Sequence, residues 1–307
     1  MGSPKNVIYY FMLLLSVTFW GVSFVFTKSL LDSVTPIALV FFRMVIASVL
    51  LATVCRIFFH QKLREVPRKD WLLLLCLSLF EPFLYFLFET YSLSVVSEPT
   101  IVSVIVATIP IFTVFMSHFY FKEKLTWFNF VGVFVSALGI AIMLLPELSD
   151  QSFQWLGVFL AFGAVFSSVG YSFFLKKLSD QYHPVFIVTT QTTFGIFWFL
   201  PLLLILHSPE ELAFQFANLA RPEILRNVLA LAVLCSALAF VLYIWALQRV
   251  GLGKSNTFTN LIPVVTALFS FLFLGENFPL LKIIGTAVTI IGVCCVQYTP
   301  RNNGINI

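Results

Sequence analysis

Ten long apolar runs, separated by short polar breaks, make up almost the whole chain. They fall at residues 7–28, 36–58, 71–92, 100–121, 127–145, 155–175, 184–207, 227–247, 254–274 and 279–298. Each has about 20 residues, enough to cross the hydrocarbon of a bilayer as a helix. None alternates with the period of two that marks a strand. A segment alone in lipid must close its own backbone hydrogen bonds, so each run is predicted to be a helix. The first run exceeds a signal-peptide core and leads into no cleavage site, so it is expected to remain as a span. The longest connections, 56–70 and 208–226, read as loops and leave no room for a soluble domain.

The second half of the pattern repeats the first. Ile109-Pro110, Glu123, Gly132 and Gly139 recur as Ile262-Pro263, Glu276, Gly285 and Gly292, every one displaced by 153 residues. Earlier in each half, Lys28, Pro36 and Arg43 align with Lys176, Pro184 and Gln191 at a displacement of 148, and the longer 208–226 connection accounts for the change. A fixed displacement at proline, glutamate and glycine marks an internal duplication. Its unit is five spans, and an odd number turns the second copy upside down in the membrane. The expected fold class is therefore an all-α integral membrane protein, ten transmembrane helices built as two inverted five-helix repeats over residues 1–150 and 151–307. Such repeats typify secondary transporters, with the substrate near the midplane between the halves.

Composition agrees with the pattern. The chain is 60% hydrophobic and 10% charged, against roughly 25% charged residues in soluble domains. The net charge of +4 is no nucleic-acid signal, because the basic residues sit between apolar runs. Their distribution orients the chain instead. With the N-terminus on one side, that side carries 13 Lys and Arg and the other 4, Arg43 lying within a span. This predicts both termini in the cytoplasm of a cell (inner) membrane protein. The five cysteines contain no C-x-x-C and read as small apolar packing groups. The four histidines share no ligand spacing, no phosphate-binding glycine loop follows a strand, and Asp is absent from every span core. Enzyme chemistry and metal binding therefore find no support.

Phe19-Trp20-Gly21-Val22-Ser23-Phe24 with Lys28, Pro36 with Arg43, Ala107 with Pro110, Lys122-Glu123-Lys124-Leu125-Thr126 with Gly132 and Gly139, and the second set of Pro263, Gly275-Glu276 and Gly285 together resemble the EamA-type ten-span transporters of the drug/metabolite transporter superfamily. The resemblance covers nearly the whole chain. It implies a carrier without ATPase or bound cofactor that moves small metabolites by alternating access, and it includes exporters of amino acids and related compounds. More distant relatives carry nucleotide sugars and triose phosphates. The chain departs from the pattern at Glu81-Pro82 and Glu89 in the third span and at Glu98 before the fourth, where a small residue is usual.

Buried ionisable groups in a membrane usually line a pathway. Arg43 lies about seven residues, ~10 Å, below the end of its span, and Glu81 and Glu89 bracket that depth on the third span, with Tyr85 between them. Arg43 is expected to pair with one carboxylate, leaving the other for substrate or a coupling proton; a purely structural polar cluster is the alternative. Trp20, Ser23, Phe24, Tyr85, Tyr171, Gln191 and Asn260 complete the candidate binding set. Pro82 removes a backbone donor and predicts a kink, a candidate hinge or gate beside Glu81, with simple packing as the alternative. Pro110 and Pro263, at matching depths, are candidate hinges, with inherited helix shape as the alternative. The glycine pairs, seven apart on one face, predict close helix packing. Expected partners are a small-molecule substrate, the lipid bilayer and, as a candidate coupling ion, protons. A monomer suffices, since each chain holds both repeats, and a homodimer is equally compatible. An uncoupled facilitator of the same fold, and a membrane enzyme or scaffold, remain as alternatives.

Overall fold

A computed structural model of the chain describes residues 7–59, 66–122, 125–146 and 155–297. Expectations that rest on Lys5, Lys62, Arg64, Glu123, Lys124, Glu147, Asp150, Tyr298 and Arg301 lie outside these residues. Ten helical segments among the described residues are long and apolar enough to cross a membrane. In chain order the first three are Val7–Leu30, Pro36–Phe58 and Arg68–Val95, and the fourth is Pro99–Tyr120. Trp127–Leu144, Trp155–Ser179 and Pro184–Leu206 follow, then Pro222–Val250, Lys254–Leu274 and Leu280–Gln297. No strand occurs among the described residues.

The spans are not uniform rods, and their irregularities come in matched pairs. The third span carries a π-type stretch at Leu79–Leu84, and the eighth carries one at Leu231–Leu238. Within the first, Glu81 leaves helical geometry altogether (φ −148°, ψ 119°) immediately before Pro82, so the bend expected there is present. The fourth span is two helices, Pro99–Val106 and Ile109–Phe121; the ninth is Leu252–Thr259 and Ile262–Leu274. Both breaks fall just before Pro110 and Pro263. Each proline occupies the first turn of its second helix, where its missing N–H costs no hydrogen bond. The second helices end in left-handed caps at Lys122 (φ 60°) and Gly275 (φ 66°), again 153 apart in sequence. Glycine adopts that conformation freely, while lysine pays for it through its Cβ.

Helix contacts follow the same symmetry. The fifth span packs along the tenth and the second along the seventh; the first meets the eighth and ninth, as the sixth meets the third and fourth. This scheme is unchanged when the two halves are exchanged. The tightest crossing is the fifth span on the tenth. A Cβ on Gly139 would run into the backbone of Thr289 and Gly285, and one on Gly132 into the backbone of Gly292 and Val296. The glycine face read from the sequence is thus consumed inside the chain. Asn129 seals the end of this seam, donating from Nδ2 to the Val296 carbonyl at 2.6 Å.

The connection 208–226, expected to be a loop, is instead mostly helical. Ser208 and Glu211 form a capping box that starts a helix at Pro209–Leu219, and Pro222 begins the eighth span. The short helix crosses the turn between the first two spans: Gln215 accepts from the Thr35 amide at 3.1 Å, and Asn218 donates to the Ser33 carbonyl at 2.7 Å. The Ser-Pro-Glu-Glu start is a helix signal that the search for apolar runs passed over.

Polar groups at the span ends are satisfied within the bundle. Lys28 donates to the carbonyls of Leu93 (2.9 Å) and Val96 (2.6 Å), capping the third span. Lys282, itself 1% exposed, pairs with Glu98, and Thr100 donates to Glu276 at 2.8 Å. At the opposite face Tyr182 donates to the buried Asp70 at 2.6 Å. Burial and the Asp70 carboxylate push the Tyr182 phenol up to about 12, so it remains a donor at neutral pH. Two of the four cations expected on the far side, Lys28 and Lys282, are therefore used for packing, while Arg221 and Arg226 are exposed.

Two stability predictions follow from this packing. Gly139→Leu drives a side chain into backbone and is expected to cost about 2–3 kcal/mol, seen as a lower Tm in detergent. Gly163→Ala meets only the Phe88 ring, at 3.0–3.2 Å, and should cost under about 1 kcal/mol; equal losses would refute the backbone contact. Lys122→Gly removes the left-handed strain and should raise stability by about 1 kcal/mol, whereas Gly275→Lys should lower it by a similar amount.

Candidate functional site

Among the described residues, a cavity lies between the two halves of the chain. Its lining obeys the duplication. Trp20, Ser23 and Phe24 of the first span face Ser168, Tyr171 and Ser172 of the sixth, each pair 148 residues apart. Phe86 and Glu89 of the third span correspond to Phe240 and Tyr243 of the eighth at a displacement of 154, and Val106 and Ile109 to Thr259 and Ile262 at 153. Equivalent positions thus form opposite walls of one chamber. The charge is not duplicated. Arg43, Glu81 and Glu89 all come from the first half, and at Arg43's counterpart the second half has the neutral Gln191.

Arg43 is 1% exposed and Glu89 is 3% exposed, so the bonds they make decide their cost. The expectation that Arg43 pairs directly with a carboxylate needs correction. Its Nε and one Nη donate to Ser236 Oγ at 3.3 and 3.2 Å, and its guanidinium lies over the Phe86 ring, 4.6 Å from the centroid. Glu89 interacts with it electrostatically, without an ion-pair contact. Ser236 belongs to the π-type stretch of the eighth span, whose extra residue per turn re-aims side chains. Helical periodicity from the sequence could not place it beside Arg43. Glu81, in the other π-type stretch, accepts from Ser168 Oγ at 3.5 Å. Tyr85, one turn from Glu89 on the same helix, lies beside that carboxylate.

The aromatic wall is continuous. Trp20 meets Phe240 edge-on at 5.0 Å and Tyr243 at 4.9 Å, and Phe240 meets Phe86 at 6.4 Å between centroids. Tyr243 donates to Asn256 Oδ1 at 2.6 Å, which fixes that hydroxyl in the wall. Three buried polar atoms of the lining residues have no hydrogen-bond partner: Trp20 Nε1, one Nη of Arg43 and one carboxylate oxygen of Glu89. A buried polar group left without a partner costs about 1–3 kcal/mol, so these three atoms are the costliest in the lining.

The structure therefore gathers Trp20, Ser23, Phe24, Arg43, Glu81, Tyr85, Glu89 and Tyr171 at one chamber. Gln191 stands behind the wall and accepts from the Tyr171 hydroxyl at 3.3 Å. Asn260 does not line the chamber. Its amide points to the tenth span, 3.1 Å from Gln297 Oε1 and 3.4 Å from Cys294 Sγ. Pro82 faces the seventh span beside Gly195. Sequence reasoning missed Ser168, Ser236, Phe240 and Tyr243. The displacement of 148 would have picked out Ser168 as the partner of Trp20. Nothing in the local sequence marks Ser236. Among the described residues no group of three or more His, Cys, Asp and Glu is placed to hold a metal ion.

Comparison with known proteins agrees with this architecture. An uncharacterized transporter of Archaeoglobus fulgidus is 24% identical over 93% of this chain and 97% of its own length. The uncharacterized transporter YcxC of Bacillus subtilis is 26% identical over 89% of this chain and 87% of its own. A probable terminal-alkyne amino-acid exporter of Streptantibioticus cattleyicolor is 28% identical over 64% of this chain and 63% of its own. A crystal structure with 16% identity superimposes with a TM-score of 0.65 over 96% of this chain and 98% of its own, which shows the fold alone. The model of the EamA-like transporter family matches residues 7–145 and again 155–298. The chain is a multi-pass membrane protein that belongs to the EamA-like transporter family.

Proposed function

We propose that this transporter carries a small zwitterionic metabolite, an amino acid or close analogue with an uncharged apolar body, across the cytoplasmic membrane by alternating access. The observation that carries the reading is the set of unpartnered atoms in the aromatic chamber. A carboxylate suits the free Nη of Arg43 and Trp20 Nε1; an ammonium suits Glu89; a flat apolar body suits Trp20, Phe240 and Tyr243. A substrate making these bonds would repay the desolvation of three groups at once. Export is the proposed direction, supported by the name of the Streptantibioticus relative and by the resemblance. The halves, residues 1–150 and 151–307, are proposed as inverted repeats that rock about the chamber with both termini in the cytoplasm. The breaks before Pro110 and Pro263 and the bend at Glu81-Pro82 would absorb the motion, because these are the points where the spans lack a continuous hydrogen-bond ladder. Glu81 is the proposed proton-coupling group, since Arg43 leaves it to Ser168 alone.

Counterflow into proteoliposomes tests the proposal, with a panel of amino acids and the wild type beside single variants. Neutral apolar amino acids should exchange, while those with charged side chains should not. Arg43→Gln should weaken substrate binding about tenfold to a hundredfold, and Trp20→Phe, which keeps a ring and loses the donor, about twofold to tenfold. Glu81→Gln should still exchange but no longer concentrate substrate against a pH gradient. Wild-type flux insensitive to that gradient would identify an uncoupled facilitator, and no exchange of any amino acid would sink the substrate class.

A further inference from the structure

A second cavity has no part in the chamber just described. It lies between the second, third and seventh spans, walled by Ala52, Cys55, Trp71, Phe186, Thr190 and Phe194. These residues are within about four turns of the ends of their spans on the N-terminal side of the bundle. Trp71 is 38% exposed and Ala52 is exposed, so the groove opens sideways, towards lipid. The walls look polar in sequence, but their threonine hydroxyls present no spare donor. Thr189, Thr190 and Thr193 donate to the carbonyls one turn back at 2.6, 2.9 and 2.7 Å, and Ser48 shares a 2.7 Å bond with Thr193. Between these threonines and the ring faces the groove is suited to hydrocarbon.

The mouth supplies the opposite chemistry. Arg56 lies one turn beyond Ala52 on the second span, and Arg68 and Lys69 open the third span one turn before Trp71; all three are exposed. Among the described residues from Arg56 to Trp71 the acid, Asp70, is turned inward, 3% exposed and bonded by the Tyr182 hydroxyl. An apolar slot open to the bilayer beneath a cationic rim complements one kind of molecule, a lipid with an anionic head.

We propose that this groove is a binding site for one anionic phospholipid of the leaflet on the N-terminal side. One acyl chain fills the slot between Ala52, Trp71 and Phe194, and Arg56, Arg68 and Lys69 hold the phosphate headgroup. The site stands whether or not the chamber carries amino acids.

Trp71 reports on the slot directly. The full chain is reconstituted in phosphatidylcholine vesicles containing graded amounts of phosphatidylglycerol with brominated acyl chains, which quench nearby indoles. The Trp71 signal is taken as the difference between wild type and Trp71→Phe. Quenching of Trp71 should saturate at low mole fraction, about tenfold below that needed when brominated phosphatidylcholine is used instead. Arg56→Gln, Arg68→Gln and Lys69→Gln combined, all at the surface, should bring the two curves together. Ala52→Phe, which fills the slot, should abolish the saturable part. Quenching that simply follows the bulk mole fraction would overturn the site. Saturation that is equal for both headgroups in the wild type would overturn its anionic selectivity.

Discussion

Hydrocarbon offers no partner to a backbone N–H or C=O, and this constraint governs every departure from regular helix in the molecule. The π-type stretches of the third and eighth spans, the breaks in the fourth and ninth, and the extended residue at Glu81 occur where helix meets helix or where the chamber lies. None could stand on a lipid-facing surface. Irregular backbone of this kind is tolerated where neighbouring helices satisfy it, and the stretch at Glu81 borders the chamber.

The bundle that surrounds this interior is stapled at its edges. The glycine seam between the fifth and tenth spans joins the halves through backbone contact, which a side chain on either helix would prevent. Lys28 on the carbonyls of the third span, Lys282 with Glu98, and Tyr182 on Asp70 satisfy groups that would otherwise be stranded at the span ends. With the edges held in this way, the chamber can contain polar atoms without partners. The wall is built twice from equivalent positions, but charge was placed in one copy only. The shape is therefore close to two-fold, while the chemistry distinguishes one wall from the other.

Arg43 shows how such a charge is tolerated. It is buried without a contact ion pair, and its cost is offset by a hydroxyl from the opposite half, an aromatic face and the nearby Glu89 carboxylate. Breaking up the interaction among several weak partners leaves one guanidinium nitrogen unspent. A tight Arg43–Glu89 pair would have spent that nitrogen, with desolvation offsetting much of its Coulombic gain. Because Ser236 and Arg43 belong to different halves, the hold on Arg43 also depends on how the halves sit together.

The sequence alone determined the ten spans, because length and apolarity are set by the bilayer. It determined the duplication too, with Pro110 and Pro263, Gly132 and Gly285, and Gly139 and Gly292 each 153 residues apart, because proline and glycine have local backbone preferences; the left-handed cap at Lys122 showed only in the structure. The glycine face was legible for the same reason. Which polar side chains meet was decided only by the tertiary structure. A helix that is apolar all round carries no signal of how it is rotated, so nothing local distinguished Asn260, turned to the tenth span, from Asn256 in the chamber wall. The π-type stretches advance the facing of everything after them, and so Ser236, silent in the sequence, came to hold Arg43. The groove at Trp71 was hidden likewise: its threonines read as polar until the structure showed every hydroxyl already bonded to its own helix.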